Sequence, residues 1–112
     1  EHYAGALPTW MAPEQVRFLP VTDRAVDYCK EQAAKLTAQG YRVTVDTRSE
    51  KIGKKIRDAQ MEKIPYMLVV GDRDMENGTV SPRHRAEGDL GAMELDRFAE
   101  VLKDVVDNKL AK

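Results

Sequence analysis

Hydrophobic and polar positions along the chain fall into two periods that alternate. In Gln15 to Val21 (QVRFLPV), Val16 and Phe18 share one side of an extended segment bounded by Pro13 and Pro20, which predicts a first strand. Thr22 or Asp23 is placed to cap a helix in which Val26, Cys29, Ala33 and Leu36 form one stripe, and Gly40 supplies the stop. Tyr41, Val43 and Val45 alternate with Arg42, Thr44 and Asp46, a period of two that marks a strand with one polar side. A second helix is expected from about Glu50 to Lys63, with Ile52, Ile56 and Ala59 inward and the lysines outward, ended by Pro65. Tyr66 to Val70 (YMLVV) is apolar throughout, as a central strand covered on both faces must be.

Beyond it, GDRDMENG closes on Asn77-Gly78, a hairpin signal that returns Thr79 to Arg85 antiparallel. Pro82 donates nothing to a ladder, so the return strand is expected at an edge or bulged. Leu95, Phe98, Leu102, Val105 and Val106 stripe a last helix from about Glu94 to Leu110. Residues 1–13, EHYAGALPTWMAP, carry no period and hold two prolines, so they read as irregular, extended linker. The economical fold is α/β: a three-stranded parallel core with an antiparallel addition.

Composition fits one globular domain: 112 residues, 42% hydrophobic, 33% charged, formal net charge -1. No apolar run approaches the roughly 20 residues of a membrane helix, and a lone cysteine fits a reducing compartment, with the cytoplasm as the expectation. The charge is uneven. Tyr41 to Lys63 carries seven basic and four acidic residues, a net +3, and Ala86 to Lys112 carries four basic and seven acidic, a net -3. One side of the molecule should therefore draw polyanions.

Candidate chemistry is sparse. No GxGxxG follows a strand, Gly53-Lys54-Lys55 lacks the rest of a phosphate loop, and His2 and His84 are too few for a metal site. Cys29 sits on the core stripe and reads as a small buried side chain. No catalytic residue is assigned.

Read together, the blocks LPVTDRAVDY, GYRVTVDTRSEKIGKKIRDAQMEKIPYMLVVGDRD, NGTVSPRHR and GDLGAMELDRF resemble the C-terminal anticodon-binding domain of threonyl-tRNA synthetases. EHYAGALPTWMAP resembles the end of catalytic motif 3 and the connection after it. The resemblance implies a three-layer anticodon-binding domain, a five-stranded mixed sheet flanked by three helices, over 14–112, with a short extra strand near Gly91 to Met93. It implies that 1–13 is the tail of a catalytic domain, with Glu1 and His2 relics of a helix end, so that this stretch alone forms no aminoacyl-adenylate. ATP, Mg and Zn are then expected only in that catalytic domain, with no cofactor here.

The implied partner is the tRNA(Thr) anticodon loop, whose middle base is G and whose last is U. Guanine offers adjacent N1–H and N2–H donors to a carboxylate, while its O6 and N7 accept from an arginine fork. The family pattern carries these roles to Asp74 and Arg83, and contact with the final uridine to Ser49, where an asparagine is usual. Asp74 is one methylene shorter than the usual glutamate. Arg48, Lys51, Lys54 and Arg85 are the expected phosphate contacts. The parent enzyme is expected to be a homodimer and this domain a monomer. Two other readings are a stand-alone RNA-binding paralog without ligase activity, which has no reason to keep AGALPTWMAP, and a flavodoxin-like small-molecule enzyme, which needs a phosphate loop.

Overall fold

The computed structural model describes residues 9–85 and 87–108. After one 3-10 turn at Thr9–Met11, the elements are β1 (Val16–Pro20), α1 (Ala25–Ala38), β2 (Val43–Val45), α2 (Ile52–Met61), β3 (Tyr66–Val70), α3 (Asp72–Asn77), β4 (Thr79–His84), β5 (Gly88–Asp89), β6 (Met93–Glu94) and α4 (Leu95–Asp107). The sheet runs β2-β1-β3-β4-β5, with β6 also paired to β4. β1 lies parallel to β2 and β3, and β4 runs antiparallel to β3. The parallel core and the antiparallel addition are as the periodicity predicts, and the extra strand implied near Gly91 proves to be two, β5 and β6.

Strand alternation divides the side chains between two faces. Val16, Phe18, Tyr66, Leu68, Val70 and Val80 pack with the stripes of α1 and α4, while Leu19 and Met67 pack with Ala59 and Ile64 beneath α2. Each large apolar side chain fully withdrawn from water here contributes on the order of 1.5–3 kcal/mol. Three layers result, α1 and α4 on one side and α2 on the other. Cys29 is fully buried on the first side, and burial pushes its thiol up to about 12.

Four local expectations need correction. Thr22 and Asp23 do not cap α1 with side chains: Arg24 is the capping residue without a side-chain bond, and Thr22 and Asp23 offer backbone carbonyls to Ala25 and Val26. Asn77-Gly78 is not a two-residue hairpin. That turn needs positive φ at both central residues, whereas Asn77 ends α3 and only Gly78, at φ 69°, is left-handed, as a helix C-cap. β4 is interior rather than an edge, and it accommodates Pro82 because β6 pairs at Thr79 and Val80 and β5 at Arg83 and His84, leaving Pro82 in the gap.

The fourth correction concerns the lysines of α2, which do not all face outward. Lys55 is 3% exposed, and its Nζ donates to the Pro20 carbonyl at 2.9 Å. The signal was in the spacing, since Lys55 lies three residues after Ile52 and four before Ala59, on the inward stripe.

Of the segment read as extended linker, 1–8, including Glu1 and His2, lies outside the described residues. Thr9 to Ala12 is folded against the domain. Thr9 and Ala12 are buried, Gln15 Nε2 donates to the Thr9 carbonyl at 3.1 Å, and Arg42 Nε donates to the Ala12 carbonyl at 2.8 Å.

Candidate nucleic-acid interface

In a sheet of this order, ligands bind outside the carboxyl ends of the parallel strands, where successive connections depart to opposite faces. That edge gathers the β2–α2 loop, the start of α3 and the start of β4, which hold most of the residues expected to meet RNA. α2 packs over β1. Beyond it, Thr79, Ser81 and Arg83 line the same face of β4 and remain half-buried, while Val80, Pro82 and His84 point into the opposite core. Cross-strand pairing sets Arg83 beside Met67 and Ser81 beside Val69, so the row has an apolar flank.

Arg83 is the one residue of this row whose polar group is left unanswered. Its Nε is buried and has no hydrogen-bond partner among the described residues. An arginine carries five N–H donors and no acceptor, and a buried donor without a partner costs about 1–3 kcal/mol. Asp89 is its cross-strand neighbour on β5, and the Asp89 carboxylate accepts instead from the Gly91 amide at 2.8 Å.

Asp74 is in the opposite condition. It is 8% exposed, and its carboxylate accepts from the Gly71 amide at 3.2 Å, the Thr79 hydroxyl at 2.8 Å and the Ser81 hydroxyl at 3.2 and 3.3 Å. Thr79 and Ser81 were not among the residues expected at the site. Their signal was available, because positions 79, 81 and 83 share one face of any strand that carries Arg83.

Ser49 is exposed in the β2–α2 loop. Three strand spacings separate β2 from β4, about 14 Å. The basic residues near Ser49 differ sharply from one another. Arg48 holds Asp46 with two bonds, Nε at 2.9 Å and Nη2 at 2.7 Å, and reaches Asp58 with Nη1 at 3.0 Å. That guanidinium holds both carboxylates below the usual range. Lys54 Nζ lies 3.6 Å from Asp58. Lys51 is exposed, and its ammonium has no partner among the described residues.

Arg85 lies at the far end of β4, where its Nη1 donates to the Lys63 carbonyl at 2.9 Å and burial lowers its pKa. The structure does not bring it to Ser49 and Lys51. A cleft of about 350 Å³ opens beside β2, and Arg17 occupies its wall. Arg17 Nε meets Glu14 at 2.7 Å and Arg17 Nη2 meets Glu62 at 2.8 Å, so the cation there is already matched. Among the described residues, no group of three or more His, Cys, Asp or Glu is placed to hold a metal ion, and no helix is long and apolar enough to cross a membrane.

Residues 15–105 match the family described as Anticodon binding domain. The chain is 55% identical over 111 residues to a threonine–tRNA ligase of Syntrophomonas wolfei subsp. wolfei, covering 98% of this chain and 18% of that protein. It is 53% identical over 109 residues to a threonine–tRNA ligase of Clostridium novyi, covering 97% of this chain and 17% of that protein. It thus spans less than a fifth of the length of these curated relatives. Among solved structures, the RNA binding domain of threonyl-tRNA synthetase from Cryptosporidium parvum Iowa II superposes with a TM-score of 0.87 at 30% identity, over 92% of this chain and 26% of that one.

Proposed function

The chain belongs to the anticodon-binding domain family, and from that premise we propose that it recognises the anticodon loop of tRNA(Thr) for a threonine–tRNA ligase. The observation that carries this reading is the Arg83 guanidinium, with a buried and unanswered Nε on a half-open sheet face beside Met67 and Val69. Single-stranded loops expose base edges that duplexes conceal, and an unpaired arginine fork suits O6 and N7 of a guanine. Asp74 belongs to the same site, and Ser49 serves the last base from the β2–α2 loop. Lys51 is the phosphate contact best supported by its surroundings, because Arg48 and Lys54 already answer Asp46 and Asp58 and Arg85 donates to the Lys63 backbone carbonyl at the far end of β4.

The ligase chemistry, with its ATP and metal ions, belongs to other parts of such an enzyme, and the domain 14–112 supplies recognition in the cytoplasm, as a monomer when alone and within a homodimeric parent. Thr9 to Ala12, folded onto this domain, forms the approach from the catalytic part. A titration of the isotope-labelled chain with a tRNA(Thr) anticodon stem-loop tests the reading. Amides of β4 and of 48–54 should shift, and less so with a loop carrying another middle base. Shifts absent from both segments would contradict it.

A further inference from the structure

We infer that the middle base is read by the hydroxyls of Ser81 and Thr79, and that Asp74 acts behind them as a positioning residue. The inference rests on the anticodon-binding reading above. Asp74 is nearly closed to solvent, whereas Thr79 and Ser81 are half-buried on the face that carries Arg83. A carboxylate offers about four lone-pair positions. Three donors, the Gly71 amide, the Thr79 hydroxyl and the Ser81 hydroxyl with its one proton shared between the two oxygens, engage both oxygens of a carboxylate that is only 8% exposed.

A hydroxyl has one proton and two lone pairs, and normally turns to suit its neighbour. Here the protons are committed to Asp74, so both oxygens present only acceptors to the open side. Guanine sets two adjacent donors on its Watson–Crick edge, N1–H and N2–H, whereas adenine sets an acceptor at N1 and cytosine one at N3. Two fixed acceptors therefore admit guanine and leave unpaired lone pairs facing the others, which is the stronger form of rejection. The arrangement also restores the reach that an aspartate lacks, because each hydroxyl moves the acceptor outward by one hydrogen bond. Arg83, about 7 Å along the strand from Ser81, is left to address O6 and N7.

Equilibrium binding of the full chain to stem-loops with guanine, inosine or adenine in the middle tests this, inosine lacking only the 2-amino group. The wild type should favour guanine over inosine about five- to tenfold. Ser81→Ala and the isosteric Thr79→Val should each bring that ratio toward one, and Ser81→Thr should keep it. Asp74→Asn, which frees the hydroxyls to turn, should lose the ratio although both hydroxyls remain. Denaturation curves for each variant separate loss of fold from loss of preference. If Ser81→Ala and Thr79→Val keep the wild-type ratio while Asp74→Asn loses it, the carboxylate touches the base itself and the inference is overturned. If the wild type shows no preference for guanine over adenine, the anticodon reading beneath it fails instead.

Discussion

Arg48 shows how far a residue's role depends on what surrounds it. As a basic residue beside Ser49 it reads as a phosphate contact, but folding places it between Asp46, 9% exposed, and Asp58. Both carboxyls then titrate below their ordinary value of 3.8. A carboxyl whose folded pKa is depressed contributes stability that is fully present above its unfolded pKa and is lost as pH falls through the folded value. Arg48→Ala should therefore lower the urea midpoint at pH 6, and should flatten the further loss of stability between pH 4 and pH 2. Urea curves across that range check it; an equally steep acid loss in the variant would mean that the pairing stabilises nothing. Residue types were legible in the sequence, but partners separated along the chain, such as Arg48 with Asp58 or Lys55 with Pro20, depend on packing that periodicity does not encode.

At the scale of elements, the strands and long helices followed the pattern of apolar positions because each has a face that must be buried. The short elements did not. DRDMEN has too few residues to show a helical period, so α3 was hidden behind Asn77-Gly78, whose preference for positive φ serves a hairpin and a helix cap alike. β5 and β6, two residues each, carry no pattern at all. The cap can be tested, because a Cβ on Gly78 meets nothing within 4 Å and only its φ of 69° opposes a side chain. Gly78→Ala should cost about 1 kcal/mol by chemical denaturation, and Gly78→Asn less. No loss on Gly78→Ala would show that the left-handed cap is not required.

For the molecule as a whole, the basic stretch from Tyr41 to Lys63 looked in sequence like a uniform attraction for polyanions. Folding divides it. Arg42 is bound to the Ala12 carbonyl, Lys55 is buried, Arg48 and Lys54 are answered by acids, and Lys51, Arg57 and Lys63 are left exposed without an ion pair among the described residues, Lys51 being the one beside Ser49 at the start of α2. If phosphates are neutralised there, Lys51→Ala should reduce the slope of log K against log salt by about 0.7 for a single-stranded loop, and Lys54→Ala by less. Equal slopes for the two variants would remove the distinction.

The central claim is that Arg83 reads a base, and its most direct test is a set of four binding curves at fixed salt. Wild type and Arg83→Ala are each titrated with the tRNA(Thr) anticodon stem-loop and with a loop changed only at the middle base. A bidentate arginine–guanine pair is worth roughly 1–3 kcal/mol of discrimination, so Arg83→Ala should weaken the cognate loop more than the changed one and draw their affinities together. Arg83→Lys should not restore the gap, because an ammonium lacks the planar fork. Cognate and changed loops that stay as far apart in Arg83→Ala as in the wild type would contradict base reading by Arg83 and leave it a backbone contact.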